Sequence, residues 1–481
     1  MYAEYVNAID EQDLYYERPE RSSDIQLPSA INALLLVVWA AICCIGFAVM
    51  FLMRSPVAGT VIIAVPTFIG MVIKPTFALC IMMLVLPTGA GIGYRQEFSL
   101  DRGVGIALAI SFALNLLMNR PRLRIGNKAL WVLAAYTVWI FLSSLASPYL
   151  RLDLRRSFTQ LQILALVLIV YWIIQTNAEG TFRWALRAYV VGTLGTIMLA
   201  FKTGAAMRTM TDITEEERYA ATLGGAIDAN MLAVMVAMAF LAAVYLLASD
   251  KRISWRVIYL ATVLFLPIML LRIGSRGALI ALAFTLLSPL LFIRQVARRP
   301  ALLVLSLAII LLASFSMGFI IKSQGLEAGA TQRLTDVPSA REAFDYRMNL
   351  NKVTIQTAMR RPFGTSHYDW FRESGLRSHT HNDLLYALGT YGVPGAAIFA
   401  AFMIVLLLTV KRTPVGLEKL YSRAVLTFLI ITGLNINQTF QKHFWVFLAL
   451  VVATERISHL MAERRQSTDE FYQEEIVESG Y

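Results

Sequence analysis

The chain has 481 residues, of which 57% are hydrophobic and only 16% are charged, and its mean hydropathy is +0.60. Soluble globular proteins are about half apolar and about a quarter charged, so this composition excludes an ordinary soluble enzyme and indicates a membrane protein. The net charge of +11 would suit nucleic acid, but the basic residues lie beside apolar stretches and no nucleic-acid or phosphate-binding motif occurs. A nucleic-acid partner is therefore not expected.

The apolar stretches are the main structural signal along the chain. A spanning helix needs about 20 mostly apolar residues. Residues 1–30 are a polar tail without a cleavable signal sequence. After it come candidate spans at 31–53, 57–73, 75–93, 103–118, 129–146, 161–175, 188–200, 227–248, 257–271, 277–293, 301–321, 384–410, 424–436 and 444–453. The sequence predicts an all-α integral membrane protein, a polytopic bundle of about 12 to 14 transmembrane helices.

Loop charge predicts the orientation of this bundle. Basic runs at 119–128, 250–256, 294–300 and 411–423 mark one side, which the positive-inside rule makes cytoplasmic. The predicted organisation is a cytoplasmic tail (1–30), a transmembrane bundle (31–321), a large external, periplasmic loop (322–382), C-terminal transmembrane helices (383–460) and a cytoplasmic tail (461–481). The three cysteines fall inside apolar stretches without ligand spacing, and we expect neither disulfides nor a zinc site.

The long external loop carries two helix-start signals. Ser339 with Glu342 forms a capping-box pattern that predicts a helix over 340–361, ended by Pro362. A second pair, Thr380 with Asp383, predicts the N-cap of the following span. An ordered loop beside a bundle mouth is a place where a site can be built.

Several arginines oppose the positive-inside rule, because they lie at the external ends of spans: Arg151, Arg155, Arg156, Arg272 and Arg276. Guanidinium groups bind phosphate through bidentate, charge-assisted hydrogen bonds, so such a cluster suits a pyrophosphate-linked lipid. The alternative is that each arginine reaches lipid phosphate or pairs with Asp153 and neighbouring carbonyls.

Two histidines lie where the external loop meets a span. The capping pattern puts His381 in the first helical turn, where a helix N-terminus favours the neutral imidazole that a general base requires. The alternative is an interface or capping histidine without chemistry. Metal binding by His379 and His381 is not expected, since no neighbouring carboxylate or cysteine completes a ligand set.

At this point the sequence resembles the bacterial O-antigen ligases and polymerases. His381 and Asn382 are followed by nine residues and then by Gly392-Val393-Pro394-Gly395, the spacing found in that family. The segment 274–283 is similar to its Ser-Arg-Gly span start, and Arg347 with Pro362 and Gly364 is similar to its loop helix and turn. The chain departs from the family at Asn351, where the family has tryptophan, and at Ser366, where it has glycine. The resemblance covers roughly residues 270–450.

This resemblance implies a metal-independent, cofactor-free glycosyltransferase of the lipid-sugar (GT-C-like) type in the bacterial cytoplasmic membrane, with its active site facing the periplasm. The donor would be an undecaprenyl-pyrophosphate-linked glycan, and the acceptor a hydroxyl of lipid A core or of a second lipid-linked glycan. By position His381 would be the general base, and Arg276 and Arg347 would stabilise the leaving pyrophosphate. Further substrate-binding candidates are Arg151, Arg155, Arg156, Arg272, His379 and Asn382, and Gly392 and Gly395 complete the motif.

Two other functions remain open from the sequence. A lipid-linked glycan flippase or transporter would also be a basic helical bundle, but it predicts charges near the bilayer midplane and an internal repeat. A protein O-oligosaccharyltransferase would share the donor and differ only in its acceptor.

Overall fold

The computed structural model describes residues 37–39, 41–46, 48–49, 56–89, 100–119, 126–202, 229–273, 275–288, 337–376 and 379–478. The predicted span 301–321 and most of the span 31–53 lie outside these residues. The chain forms two compact units, residues 1–78 with 107–123 and residues 79–106 with 124–481. In the first unit, Trp39 meets Phe77 edge-on, with ring centroids 5.5 Å apart, and donates a hydrogen bond to Thr67 Oγ1 at 3.0 Å.

The regular structure of the described residues is helical throughout. The helices are α1 (Pro56–Ile73), α2 (Pro75–Gly89), α3 (Leu100–Asn119), α4 (Lys128–Leu145), α5 (Leu150–Lys202), α6 (Ala229–Ser249), α7 (Ile253–Ile273), α8 (Arg276–Leu287), α9 (Val337–Arg360), α10 (Asp369–Ser374), α11 (Asp383–Arg412), α12 (Leu417–Gly433) and α13 (Lys442–Glu478). Most begin and end near the predicted spans. The segments 161–175 and 188–200, predicted as two spans, are parts of the single helix α5.

Five stretches of the described helices are long and apolar enough to cross a membrane: Lys128–Leu145, Leu150–Gln175, Asn230–Ser249, Ile253–Ile273 and Asp383–Arg412. The prediction of an all-α polytopic membrane protein is confirmed. The total of about 12 to 14 spans stays a prediction.

Helix α6 lies at the centre of the second unit. It is apolar on every side and packs against α5, α7 and α12, which explains why nearly all of its side chains are buried. Helix α13 packs against α5 and α12, and α11 packs against α4, α9 and α12. The start of α5, the start of α11 and the turn between α12 and α13 therefore come together beside α4 and α9.

Helix α9 is longer at its start than predicted. It begins at Val337, so Ser339 lies inside the helix and the predicted capping box is wrong. Proline suits the first turn of a helix, because its backbone angle is already helical and its missing N–H would have no partner there, and Pro338 occupies that turn. The helix ends at Arg360, since the residue before Pro362 is disfavoured in helical conformation.

Helix α11 is interrupted at Gly392, whose backbone has φ 71° and ψ −171°. This conformation is accessible essentially to glycine alone. Pro394 has no N–H, so the carbonyl of Thr390 lacks its helical donor. The next carbonyl, that of Tyr391, accepts a hydrogen bond from Trp139 Nε1 of α4 at 2.8 Å. The interruption thus leaves backbone carbonyls of α11 free to accept hydrogen bonds from groups outside the helix.

The turn after α9 docks into this interruption by backbone contact. Val393 N–H donates to Pro362 O at 2.7 Å, and Ser366 N–H donates to Thr390 O at 2.9 Å. A side chain at Gly364, where φ is +94°, would place its Cβ 2.6 Å from Thr390 O. The turn with Gly364 and the break at Gly392, the two glycine-containing segments of the family pattern, therefore cross in direct backbone contact.

The interruption also divides α11 by length. The segment 393–412 contains about 20 residues and rises about 30 Å, enough by itself to cross the hydrocarbon core. The first nine residues of the helix, 383–391, lie before the break, next to α9. The crossing between the turn and Gly392 therefore lies at one end of the segment that can span the membrane.

Substitution of Gly392 by alanine should destabilise the protein strongly. The added Cβ would overlap Pro362 O and Gly364 N, and alanine does not adopt this backbone conformation. We expect a loss of about 3 kcal/mol or more, from strain and the lost crossing together. Thermal unfolding of the purified protein in detergent measures the effect.

Gly195→Ala in α5 is the matched control, because no atom of the described residues lies within 4 Å of its added Cβ. Replacing a helical glycine by alanine stabilises by about 0.5–1 kcal/mol. Equal melting temperatures for the two variants would contradict the crossing.

Candidate functional site

The buried carboxylate of Asp153 connects the start of α5 to the segment after α9 through hydrogen bonds. Asp153 is 1% exposed. Its Oδ2 accepts hydrogen bonds from Ser147 Oγ at 2.5 Å and Ser366 Oγ at 2.8 Å. Its Oδ1 accepts from the backbone N–H groups of His367 at 3.1 Å and Tyr368 at 3.3 Å. Among the described residues Asp153 forms no ion pair with arginine, so its predicted alternative role as an arginine counter-ion is wrong.

A second carboxylate organises the start of α11. Asp383 Oδ1 accepts hydrogen bonds from the backbone N–H groups of Gln438 at 2.8 Å and Thr439 at 3.1 Å, in the turn between α12 and α13. A side chain at Gly433 would lie 2.7 Å from Asp383 Oδ2, so the end of α12 passes close to this carboxylate. Asp383 therefore holds the α12–α13 turn against α11.

The N-cap of α11 is Asn382. Its Oδ1 accepts a hydrogen bond from Leu385 N–H at 2.9 Å, and Asn has the short polar side chain preferred at this position. Thr380, predicted as the cap, instead donates its hydroxyl to Asn351 Oδ1 of α9 at 2.5 Å. His381 consequently precedes the N-cap and is not in the first helical turn, which corrects the sequence prediction.

Three elements meet around the half-buried His381. On one side the Thr380 hydrogen bond attaches its segment to α9, where Arg347 lies one turn before Asn351 and on the same face. On the other side Asn382 Nδ2 approaches Leu434 O at 3.5 Å. The next residue of that turn, Asn435, packs on Gly277, beside Arg276 at the start of α8. The fold thus brings the segments of His381, Arg276 and Arg347 to one corner of the bundle.

His379 belongs to an aromatic cluster below this corner. Its imidazole stacks on that of His367, with ring centroids 4.3 Å apart, and lies 4.6 Å from the ring of Trp370. His367 Nδ1 and the Tyr386 hydroxyl are hydrogen-bonded at 2.9 Å, and Phe440 packs edge-on against Tyr386. The segment after α9 is therefore packed on α11 mainly through aromatic rings.

Both stacked histidines are held in the neutral form. Burial lowers the pKa of His367 well below its usual range, and the charge of Arg156 and the neighbouring His379 lower it further. Burial, with a smaller contribution from Arg156, lowers the pKa of His379 to about 3. Neutral imidazoles can stack and accept hydrogen bonds without the cost of a buried charge.

Arg156 lines a cavity of about 80 Å³ whose walls come from α4, α5, α11 and the α12–α13 turn. Its guanidinium lies over the ring of Phe440, 3.8 Å from the centroid. The phenols of Tyr386 and Tyr391 line the same cavity. Tyr386 and Phe440 therefore lie between Arg156 and the histidine pair, since both line the cavity and both contact His367.

The remaining predicted arginines are distributed differently. Arg151 and Arg155 are exposed on the first turns of α5, and Arg272 is exposed in the last turn of α7. None of the three lines the cavity of Arg156. The predicted arginine cluster is therefore divided in the structure. Arg156 lines the cavity, Arg276 lies beside the His381 corner, and the other three side chains are exposed.

His367, Tyr386 and Gln160 were not among the site residues predicted from the sequence. A usable signal for the cavity existed, because Arg156, Thr159, Gln160 and Ile163 recur at helical spacing on one face of an apolar span. His367 carried no such signal, since its place in the cluster depends on Asp153, which is 214 residues away along the chain.

Stability should fall at acid pH through His379. The unfolded imidazole takes up a proton near pH 6.5, whereas the folded one does so only at about 3. The contribution of neutral His379 to the free energy of unfolding is fully present above pH 6.5. It is lost at about 1.4 kcal/mol per pH unit as the pH falls towards 3. Thermal unfolding between pH 7 and pH 5 should show a steeper loss for the wild type than for His379→Phe. Parallel profiles for the two proteins would contradict the neutral stack.

Within the described ranges, His, Cys, Asp and Glu side chains do not form a group of three that could hold a metal ion. Metal independence of the reaction stays a prediction.

Comparison with known proteins agrees with the geometry. Residues 260–400 match the O-antigen ligase family, a range that runs from α7 into α11 and includes Arg276, Arg347, His381 and both motif glycines. No curated protein matches the chain. The match over this region supports an assignment to the O-antigen ligase family and a membrane glycosyltransferase-like function.

Proposed function

We propose that the protein transfers a glycan from undecaprenyl pyrophosphate to a sugar hydroxyl on the periplasmic side of the cytoplasmic membrane. One observation carries this proposal: the family motif from His381 to Gly395 lies within the matched region, where α8, α9 and the α12–α13 turn converge. Nucleotide sugars are absent outside the cytoplasm, so the energy for the new bond must arrive with the donor. A polyprenyl pyrophosphate provides such a leaving group.

In this proposal His381 is the general base. It takes the proton of the acceptor hydroxyl as that oxygen attacks the anomeric carbon of the donor sugar. The bond between the anomeric carbon and the pyrophosphate oxygen breaks, and the pyrophosphate leaves on its lipid with the electron pair. His381 precedes the N-terminus of α11, whose partial positive charge disfavours imidazolium and so favours the base form.

Arg276 and Arg347 are proposed to stabilise the charge that develops on the pyrophosphate. Charged donors aimed at a leaving group act mainly on the transition state, because its charge grows as the bond breaks. Arg151, Arg155, Arg156 and Arg272 are further candidates for binding the donor or lipid phosphate. Of these, Arg156 has the most specific setting, since it lines a cavity beside the aromatic cluster.

The motif residues beside His381 have supporting roles. Asn382 caps α11 and fixes the direction in which the chain enters the helix. Gly392 and Gly395 permit close packing, because a side chain at either position would overlap Pro362 O or Tyr391 Cβ. His379 is proposed to orient the segment before His381 through its ring stack. The acceptor in this proposal is lipid A core or a second lipid-linked glycan.

His381→Ala should abolish most glycan transfer while leaving membrane insertion intact. Removal of a general base costs about 10²- to 10⁴-fold in rate. The assay uses purified protein with lipid-linked donor and acceptor, and mass spectrometry detects the transferred glycan. His459→Ala in α13 is the matched control and should retain wild-type activity. Full activity of His381→Ala would remove the base assignment.

Arg276→Ala should slow transfer about 100-fold, as expected for loss of one group that stabilises a developing negative charge. Its thermal stability should stay near that of the wild type. Arg256→Ala is a suitable control, because Arg256 is an exposed arginine near the opposite end of α7 from Arg272. An unchanged transfer rate with saturating donor would contradict the pyrophosphate role of Arg276.

A further inference from the structure

The cavity at the start of α5 has the character of a binding site rather than a packing defect. Arg156, Thr159, Gln160 and Ile163 of α5 line it at helical spacing, so one face of the helix is directed towards it. The opposite walls carry the phenols of Tyr136, Tyr386 and Tyr391. Polar side chains in a membrane-spanning segment are costly and usually mark a functional position.

The charge of Arg156 is not balanced by a neighbouring acid. No carboxylate side chain lines the cavity. Among the described residues Arg156 forms no ion pair, and its guanidinium instead packs on the ring of Phe440. An arginine presents five N–H donors and cannot lose its charge, so a guanidinium in this setting favours a ligand with negative charge and several acceptor oxygens.

Gln160 supplies a second, independent observation. Its side chain is only 9% exposed, it lines the cavity one turn below Arg156, and its Nε2 has no hydrogen-bond partner in the described part of the chain. Buried side-chain amides nearly always have partners, and the exceptions require an explanation such as a ligand. A half-turn of the amide would present its N–H donors to the cavity, because the two orientations occupy nearly the same space.

The cavity is separate from the corner of His381. Neither His381 nor Arg276 nor Arg347 lines it. Tyr386 stands between the two, since its ring meets that of His379, with centroids 5.0 Å apart, and its phenol lines the cavity. A group bound beside Arg156 would therefore lie next to the proposed reaction site without occupying it.

We propose that Arg156 and Gln160 form a subsite for an anionic group, a phosphate or a carboxylate, carried by a substrate of the protein. Arg156 binds the charge, Gln160 donates a hydrogen bond to one of the anion oxygens, and the phenols of Tyr386 and Tyr391 complete the donor set. The subsite deepens the proposed function and rests on it for the identity of the substrate. The anion is either the pyrophosphate of the donor lipid or an acidic group of the glycan.

The test measures anion binding to the full-length protein in nanodiscs of zwitterionic phosphatidylcholine, by calorimetry and without glycan transfer. The probes are inorganic pyrophosphate, glucuronate and uncharged glucose. Gln160→Leu should weaken binding of the recognised anion about 10-fold, as expected for a hydrogen bond to a charged group. Arg156→Gln should weaken it about 100-fold. Gln160→Glu keeps the shape, adds a like charge and should abolish binding.

Gln162→Leu is the matched control, because Gln162 is exposed two residues further along α5 and should not affect binding. If the Arg156 and Gln160 substitutions weaken binding of pyrophosphate alone, the recognised anion is the pyrophosphate of the donor lipid. If they weaken binding of glucuronate alone, it is an acidic sugar. If Gln160→Leu binds both anions as tightly as the wild type does, or if glucose binds as well as both anions do, the subsite does not exist. Loss of transfer activity in His381→Ala with unchanged anion affinity separates failure of the subsite from failure of the proposed reaction.

Discussion

The candidate site depends on one backbone crossing, in which the turn after α9 docks into the break of α11. The two chains approach so closely that only glycine fits at positions 364 and 392, and the hydrogen bonds between them replace those that the break removes. This contact fixes α9 beside the first turns of α11. The helix that carries Arg347 and the segment that carries His381 are consequently held together, although they come from different elements.

Two buried carboxylates extend this arrangement without acting as ion-pair partners. Asp153 attaches the segment after α9 to the start of α5, and Asp383 attaches the α12–α13 turn to α11. Asp153 accepts hydrogen bonds from two serine hydroxyls and two backbone N–H groups, and Asp383 accepts from two backbone N–H groups. The positive charge of Arg156 therefore remains available to a ligand, and the histidines beside it stay neutral.

The sequence predicted the elements better than it predicted their ends and contacts. Apolar length located most of the spans, and the His381 motif located the start of α11, because both signals are local. The caps at Ser339 and Thr380 were wrong, since Pro338 begins one helix earlier and Asn382 caps the other. The crossing at Gly392, the role of Asp153 and the place of His367 could not be predicted, because each depends on segments that are distant in the chain and meet only in the folded bundle.

Whether this corner forms glycosidic bonds can be determined from the fate of the lipid carrier. Purified protein in proteoliposomes would receive an undecaprenyl-pyrophosphate-linked glycan and a sugar acceptor. We expect free undecaprenyl pyrophosphate to form in an amount equal to that of a new acceptor-linked glycan. Movement of the intact lipid-linked glycan across the bilayer, with no free undecaprenyl pyrophosphate and no new glycosidic bond, would contradict it and indicate a transporter.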